Sequence, residues 1–509
     1  MQNDPGAGYL TDVPYVRQFC KELAPPLLRA AAALNGFTPP PADDFDYCEL
    51  GCGPGDTMNT LAAAHPRARF VGVDLDEAHV AAGRELASRG GLANVRYVHG
   101  DLARLHASDL PACDYVVAHG VLSWVPATTR AALVELAAAR LKPGGVLYVS
   151  YNALPGWAAV EPLRRLLREL ADRADGSRIE RAHHASMAAQ LLRDCGAEYF
   201  TSNPAASEML TTVLRMGPTY AAHEYLGEHW NPMYFADVAR EMSARGLAFI
   251  GQLPLAWNYR DLTVPQTALE LFRDVSDRAT FESLKDFAVN EFFRGDLYAK
   301  SGAGRDPATT EAYLAETAFG TAVPAAAVKR EVHLRHHALH FDDPVSDAVI
   351  QRLAAAPATL AELAGDEALA SFGNDAVRGT VHRLLLGEQL LPLRPGVAPV
   401  PADYTRAVLD QPLTPENPVI LASTVAGTGV VVPTLQAVAL RMLTGVAPAD
   451  RPAWARAFVA RQHVKLVVGE AAVQSAEEQA RVLLQELDTF RAKRLPKLVE
   501  LGVIASTAS

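Results

Sequence analysis

Positive charge is what this 509-residue sequence has too little of: 47 lysines and arginines stand against 58 acids, a formal net charge of -11. A chain with a general grip on nucleic acid needs a basic footprint along the phosphate backbone, so that class of partner is not expected. Cysteine is also scarce. The five, at positions 20, 48, 52, 113 and 195, contain no Cys-x-x-Cys pair, so reduced thiols and a cytoplasmic location are expected. The opening MQNDPGAGYL has no basic cluster ahead of an apolar core, and no secretory signal is expected. The uncharged run from Val419 to Leu440 holds Ser, Thr, Gly, Pro and Gln, and reads as a buried strand followed by a helix rather than a membrane span. No internal repeat of fixed period is present. With 49% apolar and 21% charged residues, a chain of this length can bury the cores of two or three domains.

Two ligand-loop fingerprints are missing as well, and their absence sharpens what is there. The stretch YCELGCGPGDT, residues 47–57, puts glycine at 51, 53 and 55. The dinucleotide pattern G-x-G-x-x-G would need a third glycine where Asp56 stands. No Gly-Lys-Ser or Gly-Lys-Thr follows, which argues against a phosphate loop. Instead an acid, Glu49, precedes the first glycine by two residues, and a carboxylate at a strand end suits a ligand bearing an amino group or positive charge. A second apolar run, Arg69 to Asp76, carries Asp74 about 20 residues past the loop, where a carboxylate can grip ribose hydroxyls. Further short runs end at Gly100-Asp101-Leu102, at His119-Gly120 and at Tyr151, each separated from the next by a helical stretch. That alternation predicts a parallel sheet with ligand loops at the strand carboxyl ends.

Glu49-Leu50-Gly51-Cys52-Gly53-Pro54-Gly55, then Asp74, Asp101 and the turn Leu141-Lys142-Pro143-Gly144-Gly145, resemble the successive motifs of class I S-adenosylmethionine-dependent methyltransferases. The resemblance implies an α/β fold with a Rossmann-like seven-stranded sheet, and S-adenosylmethionine as cofactor. Glu49, Gly51, Cys52, Gly53 and Gly55 would hold its amino acid end. Asp74 with Leu75 would hold the ribose, and Asp101 with Leu102 the adenine. A narrower resemblance rests on Ala118-His119-Gly120-Val121-Leu122-Ser123-Trp124-Val125-Pro126, Ser150-Tyr151-Asn152-Ala153-Leu154-Pro155-Gly156-Trp157 and His223-Glu224-Tyr225-Leu226. Tyr9-Leu10-Thr11-Asp12-Val13-Pro14-Tyr15 and Leu421 to Gly429 add to it. These resemble a bacterial family with a methyltransferase regulatory domain, which includes rickettsial lysine methyltransferases acting on outer membrane protein B. A protein lysine acceptor is what that resemblance implies.

The predicted organisation is a methyltransferase domain over 1–302, a linker over 303–330 and a C-terminal accessory domain over 331–509. A helical insertion spans about 158–228, and a regulatory-domain-like region spans about 218–302. Pro232 to Ile250 supplies a helix, a glycine cap and strand six, and Phe292 to Lys300 supplies strand seven. Segments 358–363 and 381–393 suggest two helices and a strand, a winged-helix-like part. Few basic side chains on its second helix favour docking or a structural role over DNA binding. Four histidines between 331 and 340 share no single helix or strand face, and methyl transfer from a sulfonium needs no metal, so none is expected.

The candidate catalytic residues are His119, Trp124, Tyr151 and Asn152, on the loops after strands four and five. Trp124 and Tyr151 would wall the methyl group, where aromatic faces attract a sulfonium or an ammonium. His119 would touch the cofactor or assist proton removal, although a hydrogen bond to loop backbone also explains it. Trp157 reads equally as a core residue. Ser123, His223, Glu224 and Tyr225 are the candidate substrate contacts, with His223 and Glu224 either an acid-base pair or helix caps. The loop after strand four is not the Asn-Pro-Pro-Tyr type that the resemblance associates with adenine or glutamine acceptors. A small-molecule methyltransferase and a non-catalytic cofactor-binding module stand as alternatives to protein lysine methylation.

Overall fold

The computed structural model describes residues 18–300, 304–413, 418–462, 467–468, 471–472 and 475–506, so the resemblance at Tyr9 to Tyr15 lies outside the described residues. Strands β1 (Asp46–Leu50), β2 (Arg69–Asp74), β3 (Val95–His99), β4 (Cys113–Ala118), β5 (Leu141–Asn152), β6 (Leu247–Leu253) and β7 (Phe293–Lys300) form one sheet in the order 3-2-1-4-5-7-6. β1 to β5 pair in parallel, and β7 runs antiparallel to both β5 and β6. This is the expected class I methyltransferase sheet. Both faces are covered, which is why the central strands read as nearly continuous apolar runs. Tyr47, Phe70, Tyr115 and Tyr148 face one core with helices α1 (Pro25–Leu34), α2 (Asp56–Ala64) and α3 (Glu77–Arg89). Cys48, Val71, Val116 and Leu147 face the other, against α4 (Ala127–Arg140).

Between β5 and β6 come α5 (Glu161–Ala171), α6 (Arg178–Asp194), α7 (Glu198–Ser202), α8 (Pro204–Met216), α9 (Pro218–Leu226) and α10 (Phe235–Ser243). A Ser177/Glu180 capping box starts α6. Leu163, Leu167, Ala185, Leu210 and Tyr225 give the insertion its own small core. α11 (Arg260–Thr263) and α12 (Arg278–Val289) then lead into β7.

The segment expected as a linker is structured. Its alanines, threonines and prolines suggested a spacer, yet helix Pro307–Glu316 and strand Ala318–Gly320 bury Tyr313, Leu314 and Phe319 in the same core as Tyr47 and Tyr148. Helices Pro344–Ala355, Leu360–Ala364 and Asn374–Leu386 join that core, and strand Leu391–Leu393 pairs with Ala318–Gly320. Farther on, the uncharged run folds as the hairpin Val419–Ser423/Thr428–Val432 and helix Thr434–Gly445. No helix among the described residues is long and apolar enough to cross a membrane.

One ionic network fixes the β5/β7 edge. Arg294, 2% exposed, reaches the carboxylates of Asp286 at 2.5 Å, Glu282 at 3.0 Å and Asp296 at 2.9 Å. Tyr151 Oη donates to Asp296 at 2.6 Å, and Lys285 pairs with Glu282 at 2.5 Å. Removing the guanidinium takes the ion-pair partner from the buried Asp286 and Asp296 carboxylates, which costs about 3–5 kcal/mol. Arg294→Met is therefore expected to lower the urea midpoint steeply at pH 7, whereas Tyr151→Phe, losing one hydrogen bond, is expected to cost about 1 kcal/mol. Equal midpoints for Arg294→Met and the parent would overturn this reading.

Candidate functional site

A cavity of about 290 Å³ opens where β1, β2, β4 and β5 end, the crevice that open α/β sheets leave for ligands. Beyond β1 the chain turns through Gly51, Gly53 and Gly55, all at positive φ. A Cβ on Gly51 would strike Val121, and one on Gly55 would strike the Tyr97 ring and hydroxyl, so both positions need glycine for space as well as for backbone. The register pairs Leu50 with Val73, which brings Glu49 and Asp74 to the same edge, 4% and 3% exposed. Asp74 accepts from the Gly53 N–H at 2.7 Å and from the Asp76 N–H at 2.9 Å. Glu49 Oε2 has no hydrogen-bond partner, and burial, then the charge of Asp74, pushes its carboxyl well above the usual range. A cationic amino group arriving there would supply both a donor and a countercharge.

His119 lies beyond β4. Its Nδ1 is 3.1 Å from Ser150 Oγ and 3.4 Å from Tyr148 Oη, and Phe293 meets its ring edge-on at 5.9 Å. Burial lowers its pKa to about 4, so the imidazole is neutral at physiological pH. Trp124 and Asn152 also line the cavity, and Asn152 Nδ2 has no partner. From the insertion, His223, Glu224 and His229 close the opposite wall. Burial raises Glu224 to about 7.

Most of the sequence-predicted residues come together here: Glu49, the loop at Gly51, Cys52 and Gly53, Asp74 with Leu75, and Asp101 with Leu102 all line the cavity. Gly55 stands just behind, as the left-handed N-cap of α2. Three candidates sit elsewhere. Tyr151 points to the other face of the sheet and is held by Asp296, because alternation along β5 sends residues 148, 150 and 152 to one side and 147, 149 and 151 to the other. Tyr225 is fully buried in the insertion core beside Trp157, itself a core residue stacked edge-on with Trp230 at 5.3 Å. Ser123 Oγ accepts from the Asn152 N–H at 2.8 Å, so it pins the loop instead of facing the cavity. Phe293 was missed. It pairs with Asn152 across β5 and β7 and takes the wall position expected of Tyr151. Thr57, at the end of the glycine stretch, was passed over, and Cys20 and His229 were missed because nothing local in sequence ties them to the loop.

A family model described as a methyltransferase domain matches residues 48–145, and one described as a predicted methyltransferase regulatory domain matches residues 217–300. The chain is a class I S-adenosylmethionine-dependent methyltransferase. This methyltransferase is 28% identical over 505 residues to an uncharacterised Synechocystis protein, across 97% of this chain and 99% of that one. It is 34% identical over 161 residues to trans-aconitate 2-methyltransferase of Variovorax paradoxus, which spans 32% of this chain and 57% of that protein. Among solved structures it resembles PKMT2 from Rickettsia typhi in complex with AdoHcy, with a TM-score of 0.73 and 19% identity, over 96% of this chain and all of the other.

S-adenosylmethionine is the cofactor of this methyltransferase, and the residues present fit it: an unpartnered carboxylate suits its amino group, and a glycine loop admits close approach. Gly53→Arg and Asp74→Ala are each expected to weaken AdoHcy binding by more than roughly tenfold while the chain stays folded, since hydrogen bonds to charged groups are the strong ones. Calorimetry on both variants, with circular dichroism as the folding control, checks this; unchanged affinity in both would refute the assignment.

Proposed function

We propose that this methyltransferase transfers methyl groups to lysine side chains of protein, and that a cytoplasmic setting goes with it. The observation that carries the proposal is the charge of the cavity wall. Glu49, Asp56, Asp74, Asp101 and Glu224 line it, and among the described residues no lysine or arginine does. Such a wall attracts a cationic cofactor and a cationic acceptor and repels an anionic one. The resemblance to the rickettsial lysine methyltransferases supports the same acceptor. The small-molecule reading has support in the partial likeness to trans-aconitate 2-methyltransferase, but among the described residues a carboxylate acceptor would meet no lysine or arginine in this wall.

When bound, S-adenosylmethionine supplies an activated methyl group, so the chain's task is to align the nucleophile and see it deprotonated. A lysine ammonium, with a reference pKa of about 10.4, must lose its proton first. His119, near 4, is a poor proton acceptor, which favours the contact role among its two expected ones. Glu224, near 7, is the better match. The gap of about three units is worth roughly 4 kcal/mol, and desolvation of the ammonium against Trp124 and Phe293 narrows it. The Asn152 side-chain amide, whose Nδ2 has no partner, can turn its oxygen to the cavity to accept from the incoming amine and orient it.

Tyr220, His223 and Tyr225 share the Glu224 helix, and Glu49 and His119 face the same cavity. Glu224 must be ionised to take the ammonium, so kcat/KM is expected to rise as pH rises through about 7. Glu224→Gln is expected to flatten that limb and lower kcat/KM by roughly a hundredfold, with AdoHcy affinity within about twofold of the parent. The acceptor class is tested by incubating the protein with methyl-labelled cofactor and lysate of its own organism. Label in protease-sensitive bands, mapped to lysine by mass spectrometry, supports the proposal; label confined to small molecules, or no label despite cofactor binding, overturns it.

A further inference from the structure

Helix α2 starts at the cavity with Asp56 and ends at Ala64, and every residue from Thr57 to Ala64 is buried. A surface crossover helix keeps one polar face in water; one buried all round must be covered on its outer side. The cover is the C-terminal hairpin Val419–Ser423/Thr428–Val432, whose Leu421, Val430 and Val432 share a core with Ala63 and Ala64.

Polar contacts fix the helix at two points. Near its cavity end, Thr60 Oγ1 donates to the Asp56 carbonyl at 2.8 Å and lies 3.1 Å from Tyr404 Oη. The single threonine proton is committed to Asp56, so Tyr404 is the donor to Thr60. The Tyr404 ring rests on Gly90, where a Cβ would come within 2.6 Å of Cδ2. At the far end Arg394 Nη2 donates to the Ala64 carbonyl at 3.0 Å and to the Thr424 carbonyl at 2.7 Å, while Nη1 donates to Asp43 Oδ1 at 2.8 Å and to His65 Nδ1 at 3.0 Å. With Nδ1 accepting, His65 carries its proton on Nε2 and donates it to the Gly427 carbonyl at 2.8 Å. Burial, then the Arg394 charge, holds that histidine well below its usual pKa, in keeping with a fixed neutral tautomer.

We propose that Tyr404 and Arg394 are positioning residues for the cofactor loop, holding α2 in the place from which Gly53 and Asp56 meet the cofactor. The C-terminal unit then sets cofactor affinity from outside the cavity, and cofactor binding in turn tightens its docking, because the coupling is reciprocal. This rests on the cofactor site and not on the identity of the methyl acceptor, so it survives any outcome of the labelling experiment.

The test uses the full chain and AdoHcy. Tyr404→Phe keeps the ring and removes the hydroxyl; it is expected to weaken AdoHcy binding by roughly five- to tenfold and to speed amide exchange over residues 51–57. Thr60→Val breaks the same relay from the other side, and the double variant is expected to lose no more affinity than either single one. Tyr259→Phe is the control. It breaks a comparable contact between the 217–300 region and the C-terminal unit, Tyr259 Oη to His382 Nε2 at 2.8 Å, that does not touch α2. Unchanged AdoHcy affinity in folded Tyr404→Phe and Thr60→Val, or an equal loss in Tyr259→Phe, would overturn the proposal.

Discussion

Two buried carboxylates side by side are the constraint on which this structure turns. Parallel pairing of β1 with β2 delivers Glu49 and Asp74 to one sheet edge, out of water, where burial and then the charge of Asp74 oppose the ionisation of Glu49. Asp74 is stabilised by backbone N–H groups of Gly53 and Asp76, whereas one oxygen of Glu49 has nothing. A burial of that kind is costly unless a donor or a positive charge completes it. S-adenosylmethionine brings both, so the cofactor relieves an electrostatic deficit built into these strand ends. The glycines serve the same end, since only a backbone without Cβ atoms can turn this tightly under Val121 and over Tyr97.

The remaining walls follow from strand alternation and from the insertion. Along β5, Tyr148 and Ser150 reach His119 while Asn152 lines the cavity, and across the antiparallel pair Phe293 joins it. The opposite side chains, Tyr151, Arg294 and Asp296, are locked into the ionic network behind the sheet. The same two strands thus present a cavity wall on one face and a rigid support on the other. The insertion adds His223 and Glu224 from α9, and its acid joins Glu49 and Asp74 in the cavity wall.

Much of this was legible in the sequence because it is local. Loop glycines, strand-end acids and the spacing from Glu49 to Asp74 and Asp101 are written in consecutive residues, and the sheet follows from alternating short apolar runs and helices. What was lost depends on direction or on distance. A residue at the end of a strand can face either way, and one residue of parity sent Tyr151 to the support and Asn152 to the cavity. Phe293 reaches the site only through pairing with a strand some 140 residues earlier, a partner that no local pattern names. Residues 303–330 have a linker's composition, yet their alanines allow close helix packing and Tyr313, Leu314 and Phe319 supply the buried area.

That misreading has a physical lesson about the C-terminal unit. An independent accessory domain would bury its own core and meet its neighbour through a mostly polar surface. Here the main core runs without a break from Tyr47 and Tyr148 into Phe319, Val349 and Leu384, and a second core takes in Ala63, Ala64 and Leu86 from the cofactor-binding half. Without that cover α2 would expose an alanine face and lose the guanidinium at its carboxyl end. The cofactor half of this sequence is therefore written for a neighbour: a helix with no polar outer face is a liability alone and a contact surface in the full chain. The unit that sequence composition separates by a linker is, in its packing, the outer layer of the cofactor site.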